Sequence, residues 1–217
     1  MERIKALLSR KEPVKWLFYG DSITHGALHT WGWRDYTEHF RERVRFELGR
    51  TMDIVLNTAI SGNTTAELLE SFPWRAESFN PDAVFVMIGM NDSVPERAVK
   101  ISTGQFTENL ELLTDKFAAM NTLVIMQTTC PVLPGATPGH DTSLEKYMDI
   151  TRNFAEKRKL PLIDHYHHWR ENEPLRYFWM SNAIHPNQYG HAVFAHYLFK
   201  CLGIFDPASY TCRLHTP

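Results

Sequence analysis

Cysteine is scarce in this chain: Cys130, Cys201 and Cys212 are the only three in 217 residues. They lie far apart with no Cys-x-x-Cys spacing, which excludes a disulfide framework and a zinc knot as organising elements. An excess of one charge is also lacking. Lys and Arg number 23 against 25 Asp and Glu, a formal net charge of -2, so there is no basic field of the kind that gathers nucleic acid. No apolar run approaches the ~18 residues of a membrane span. The stretch from Met1 to Lys11 scatters charges through what would be the apolar core of a signal peptide, so the cytoplasm is the expected location. The chain has no internal repeat, charge block or low-complexity linker. The stretch from Gly20 to Gly26 lacks the Gly-Lys-Ser/Thr ending of a phosphate-binding loop, and nucleotide binding is unsupported.

What is present is the balance of a globular protein, 43% hydrophobic and 22% charged residues, in a length that suits one domain over residues 1–217. Residues 1–11 read as a short amphipathic helix ended by Pro13. Apolar runs at Val14–Tyr19, Met52–Asn57, Ala83–Ile88, Leu123–Gln127 and the short Pro161–Ile163 read as strands, mostly apolar throughout as buried parallel strands are. Helices are expected between them. The first runs from about Arg34 to Leu48, on Tyr36, Phe40, Val44 and Leu48 with Gly49 as its cap. One begins at Thr64 or Thr65 with Glu67 as capping-box partner, and others span about Thr103–Met120, Ser143–Arg158 and Gln188–Leu202. Residues 128–139 read as a loop.

Strand and helix alternate five times, and right-handed crossovers then stack helices on both faces of a parallel sheet. The expected fold is α/β, a three-layer α/β/α sandwich with a five-stranded parallel sheet. Such a sheet delivers its C-terminal turns to one edge. The turns at 20–26, 58–64, 89–92 and 182–187 are expected to meet there.

Those turns carry Ser22, Gly62, Asn91 and His185. Ester hydrolysis by a serine needs a hydroxyl, a base to take its proton, and donors aimed at the oxygen that becomes negative. Ser22 supplies the hydroxyl, and His185, with an ordinary pKa of about 6.5, supplies the base. The N–H groups of Ser22 and Gly62 with the Asn91 amide can form a three-donor oxyanion hole. Ser22, on its glycine-flanked turn, is expected to stand up into solvent.

Gly20-Asp21-Ser22-Ile23, the stretch from Asn57 to Gly62, Gly89-Met90-Asn91-Asp92, and His185-Pro186-Asn187 with Gly190 together resemble the four blocks of the SGNH (GDSL-like) hydrolase family. The resemblance covers Gly20 to Gly190. It implies a flavodoxin-like five-stranded fold and hydrolysis of esters without metal or other cofactor. Two departures stand out. Ile23 replaces the usual leucine, and the family's Asp-x-x-His reads Asn182-Ala183-Ile184-His185 here. An amide oxygen can accept the imidazole N–H but brings no negative charge. Asn182 in the acid's place and a Ser-His dyad both remain open; Asp164, after the fifth strand, reads as the cap of the next segment or as a substitute acid.

Asp21 and Asp92 read as turn aspartates bonded to nearby backbone. His25 with His29, and His165 with His167 and His168, lack the carboxylate or cysteine partners of a metal site and read as solvated or turn residues. Trp31, Trp33, Tyr177, Phe178 and Trp179 flank the nucleophile and histidine turns; either they stack on substrate or they pack loops onto the core. The function expected is a serine esterase acting through an acyl-enzyme on a small ester, an O-acetylated carbohydrate or a short acyl ester. A weakened binding module of the same fold and an acyltransferase are the alternatives. Oligomeric state has no signature in the sequence.

Overall fold

The computed structural model describes residues 2–134 and 136–217. Met1 and Gly135, which the sequence reading assigned to the first helix and to the loop after the fourth strand, lie outside the described residues. Five parallel strands, β1 (Lys15–Gly20), β2 (Ile54–Asn57), β3 (Ala83–Met87), β4 (Leu123–Gln127) and β5 (Leu162–Ile163), form one sheet in the order β2-β1-β3-β4-β5. β1, β3 and β4 are buried along their length, whereas β2 is a partly exposed edge. The reversal of strand order beside β1 opens the crevice in which α/β sheets of this kind hold ligands.

Side-chain alternation along β1 assigns the helices to the two faces. Phe18 points to one, where its ring meets Tyr36 and Phe40 of α3 (Tyr36–Glu42). Tyr36 in turn packs on Phe194 of α8 (Gln188–Leu202). Tyr19 points to the other face, edge-on to Phe117 of α5 (Thr103–Ala119), with its hydroxyl on the Leu68 carbonyl of α4 (Thr65–Arg75). α6 (His140–Lys157) continues that layer. Three layers result, as alternation of strand and helix requires.

Local chemistry moves several boundaries from their expected places. Asp35 accepts from the Thr37 and Glu38 backbone and forms a capping box with Glu38, so α3 starts at Tyr36. After Glu42 the helix widens into a π turn, Arg43–Glu47, closed by the Leu48 N–H on the Arg43 carbonyl. The extra residue rotates Leu48 out of the apolar stripe, and it ends 38% exposed. Asp53 binds the Val14 N–H and the Trp16 indole, which delays β2 to Ile54. Two short helices lie outside the sequence expectation. α2 (Ser22–His25) is one turn capped by Asp21, and α7 (His165–Glu171) is capped by Asp164. α1 (Glu2–Ser9) buries Ile4 alone.

Gly20 is demanded by packing between strands. A Cβ there would sit 2.2 Å from the Met87 carbonyl oxygen of β3, a distance only glycine tolerates. The turn holding Ser22 therefore leaves β1 pressed against its neighbour.

Candidate active site

Ser22 opens α2 directly after β1, and Asp21 secures the turn by accepting the Ile23 N–H at 3.0 Å. Contrary to the sequence expectation, Ser22 does not stand in solvent; it is 5% exposed. The reason is His185, whose Nε2 lies 3.0 Å from Ser22 Oγ across 163 residues of chain.

The segment holding His185 is tied down on both sides. Met180 and Pro186 form an antiparallel bridge, and Asn187 caps α8 through the Tyr189 and Gly190 N–H groups. The Asn187 amide also donates to the Phe178 and Met180 carbonyls. A Cβ at Gly190 would meet the Trp179 carbonyl oxygen at 2.3 Å and the Trp169 ring at 3.0 Å. Only glycine lets α8 begin so close to the 3₁₀ turn Arg176–Trp179.

Asn182 settles the tautomer of the imidazole. Its Oδ1 accepts the backbone N–H groups of Ile184 and His185, each at 2.9 Å, which requires oxygen rather than nitrogen at that position. The same Oδ1 is 3.1 Å from His185 Nδ1. Nδ1 therefore carries the hydrogen, and the Nε2 lone pair faces the Ser22 hydroxyl. That is the arrangement a general base requires. Burial, with a smaller contribution from His29, lowers the His185 pKa to about 4, because the charged form loses its water.

Asp164 has no part in this. Arg152 grips its carboxylate through Oδ2 at 2.7 Å and Oδ1 at 3.1 Å, and Thr128 and the His167 N–H take the rest of Oδ1. Burial alone would raise that carboxyl, but the Arg152 and Thr128 bonds outweigh it and hold it below the usual range. As a substitute acid for the imidazole it is corrected to the cap of α7.

The residues expected to supply oxyanion donors lie on separate turns, each held by its own contacts. Asn91 donates one amide hydrogen to the Asn63 carbonyl at 2.9 Å, which orients the amide and leaves its second hydrogen unused by that bond. Gly62 has φ +85, a backbone conformation that glycine adopts readily, and nothing lies within 4 Å of where a Cβ would stand. Arg97, which sequence reading passed over, holds the Gly62 carbonyl at 2.9 Å and lies 3.6 Å from Glu67. Its signal was absent from the motif because it comes from the irregular stretch after β3.

Asp92 accepts the Thr65 N–H and hydroxyl at 2.9 and 2.6 Å, tying the Asn91 turn to α4. Burial pushes the Asp92 carboxyl up to about 6 and that of Asp21, also near the Asp92 charge, to about 7. Asp21 bonds the backbone of its own turn, as the sequence suggests, whereas Asp92 is corrected from a local turn aspartate to a link with Thr65, 27 residues away.

The aromatic candidates separate. Trp31 and Tyr177 are exposed, at 72% and 55%. Trp33 lines a cavity of about 430 Å³ with Arg34, Tyr189, Tyr210 and His215, a space that neither Ser22 nor His185 lines. Trp179 is corrected to a packing residue, since it is 3% exposed, edge-on to Trp169, with its indole N–H on the Pro217 carbonyl. The histidines are engaged elsewhere. His25 Nδ1 meets Ser61, His165 Nε2 bonds Gln127, His167 pairs with Glu171 and His168 stacks on Tyr197. Among the described residues no three His, Cys, Asp or Glu side chains gather as a metal-binding group, and no helix is long and apolar enough to cross a membrane.

Comparison with known proteins places the fold and the family. The chain is 26% identical to an acetylxylan esterase of Geobacillus stearothermophilus over 87% of its own length and 94% of that protein's. It is likewise 26% identical to an uncharacterized lipoprotein of Bacillus subtilis, over 70% of this chain and 71% of the other. A solved structure of the Geobacillus esterase superposes with a TM-score of 0.75 at 20% identity, covering 89% of this chain and 97% of that one. The catalytic variants of that enzyme replace a serine, an aspartate and a histidine. The model of the GDSL-like Lipase/Acylhydrolase family matches residues 18–193, and the chain, with its five-stranded parallel sheet, belongs to that family of ester hydrolases.

Proposed function

We propose that the protein is a serine esterase that cleaves a small carboxylic ester through an acyl-enzyme, with an O-acetylated carbohydrate or a short-chain acyl ester as substrate. The observation that carries this reading is the 3.0 Å approach of His185 Nε2 to Ser22 Oγ, with Nδ1 held by Asn182. Ser22 Oγ attacks the ester carbonyl carbon while its proton passes to His185 Nε2. The carbonyl oxygen, now negative, takes hydrogen bonds from the Ser22 and Gly62 N–H groups and from the Asn91 amide. His185 then gives the proton to the departing alkoxide. Water repeats the sequence on the acyl-serine and releases the acid.

Asn182 takes the place of the orienting acid in this scheme. In the Geobacillus esterase the aspartate replaced in one catalytic variant lies three positions before the histidine replaced in another, the same spacing as Asn182 to His185. An amide there orients the base without charging it, so the triad is neutral, with Ser22 buried, His185 half-buried and Asn182 exposed. The acetyl preference follows the relative's acetylxylan substrate.

The test is a panel of p-nitrophenyl esters from acetyl to long chain, run on the wild type and on Ser22→Ala. Hydrolysis of the shortest esters that disappears in a folded Ser22→Ala protein is expected. Equal turnover by both proteins, with contaminating esterase excluded, would mean that Ser22 is not the nucleophile.

A further inference from the structure

His29, which the sequence reading left as a solvated or turn residue, lies flat on the catalytic histidine. The two ring centroids are 3.7 Å apart and the planes differ by 8°. His29 Nδ1 is also 3.5 Å from Asn182 Nδ2, so one ring touches both the base and the amide that orients it. Accepting from that amide leaves the His29 hydrogen on Nε2 and the ring neutral.

The loop that delivers His29 is held in an unfavourable backbone. Leu28 and Trp31, on either side of it, have φ of +67 and +54, a region that residues with a Cβ rarely adopt. Neither residue recovers this by burial, since Leu28 is 83% and Trp31 72% exposed. Strain of this kind persists where the surroundings enforce it and concentrates at functional sites. In this loop the contact enforced is the His29 stack.

We infer that His29 is a positioning residue for the base: stacked on His185 and in contact with Asn182, it fixes the imidazole plane toward Ser22 and presents a neutral π face to the imidazolium that forms. The inference rests on the esterase reading of Ser22 and His185. A cation over an aromatic face is stabilised by the ring's electrons, which supplies part of what the uncharged Asn182 does not. Both rings cannot be protonated together at this distance, so the stack works only while His29 is neutral; burial lowers its pKa and keeps it so. The titratable groups that face one another here are His29 from the loop and His185, with His191 of α8 behind them, whose pKa burial and then the charges of His39, His29 and His185 depress.

Two variants separate positioning from space-filling. His29→Ala removes the stack, and His29→Phe keeps a flat ring that does not titrate. His29→Ala is expected to lower kcat by about ten-fold with KM nearly unchanged, the scale of a small misplacement at a reacting group. His29→Phe is expected to restore most of that rate. The second readout is independent of turnover: the His185 imidazole is titrated by NMR in a Ser22→Ala background. Its pKa should rise toward the ordinary ~6.5 in His29→Ala, because the solvent that returns to the charged form outweighs the lost π face, and stay low in His29→Phe. Wild-type kcat and an unmoved His185 titration in His29→Ala would overturn the inference. So would a folded His29→Phe as impaired as His29→Ala. If the wild type hydrolysed no ester, the esterase reading would fail by that assay, while the titration would still decide the stack.

Discussion

Asn182 holds His185 by two routes at once: its amide oxygen accepts the His185 backbone N–H at 2.9 Å and the ring Nδ1–H at 3.1 Å. The residue that orients the imidazole thus also sets the turn on which the imidazole is mounted. Asn182→Asp preserves both bonds and adds a charge, which favours the imidazolium. The expected outcome is a higher kcat on the alkaline plateau and an acid limb of kcat/KM moved to higher pH. A full pH–rate profile of both proteins on one ester checks it; an unmoved limb and plateau would show that Asn182 does not act on the ring.

The wild-type profile has its own signature. A base accepts a proton only when unprotonated, and the His185 pKa is drawn down to about 4. Activity should therefore hold through mildly acidic pH and be half lost near that value rather than near the ordinary ~6.5. Brief assays in the range where the protein stays folded, verified by circular dichroism, test this.

Asn91→Ala removes an amide whose orientation is set by the Asn63 carbonyl. A fall in kcat of about 100- to 1000-fold with little change in KM is expected, the size of one lost preorganised oxyanion donor. An equal weakening of a ground-state analogue, measured by inhibition, would assign Asn91 to substrate binding instead.

Gly190→Ala places a methyl 2.3 Å from the Trp179 carbonyl oxygen and 2.8 Å from Pro186 Cβ. Overpacking of this kind costs about 1–3 kcal/mol, and the displaced backbone is the one that carries His185. Urea unfolding should show the loss of stability. The kcat of the still-folded fraction should fall as well, which a purely global destabilisation would leave intact.

Acid should weaken the fold. Burial lowers His165 and His191 to about 3, and His39 and His185 to about 4, so the folded chain keeps them neutral where the unfolded chain protonates them near ~6.5. Their contribution is fully present above that value and is lost as pH falls toward 4. Asp21 and Asp92, raised to about 7 and 6, act the other way, because the folded state holds protons that the unfolded state releases. Four histidines outnumber two carboxylates, so unfolding near pH 5 takes up protons. Denaturant titrations at pH 5 and 7 should give lower stability at pH 5.

The sheet was legible because its strands announce themselves: Ala83–Met87 and Leu123–Gln127 are apolar runs that need cover on both faces. α2 and α7 were not, since one is a single turn and the other spells His165-Tyr166-His167-His168-Trp169 without a clear apolar stripe. The motif turns locate Ser22, Gly62, Asn91 and His185 at one edge because parallel strands end there. What turns cannot tell is which neighbour a side chain meets from elsewhere in the chain. Trp179 finds its partner at Pro217, and His29 meets a ring from the far end of the sequence. Both are matters of loop packing, to which local pattern is blind.

The 163-residue gap between Ser22 and His185 has a consequence during synthesis. Chains emerge from the ribosome N-terminus first at about 5–20 residues per second. The hydroxyl, the two glycine turns and every strand of the sheet are therefore made before the base. Through that interval the nascent polypeptide carries Ser22 without the imidazole that the proposed mechanism pairs with it, and on that proposal ester cleavage begins only when the segment around His185 packs against the 3₁₀ turn Arg176–Trp179. A chain stalled or cut before that segment would retain the strands of the sheet and, under the proposed mechanism, be silent toward esters.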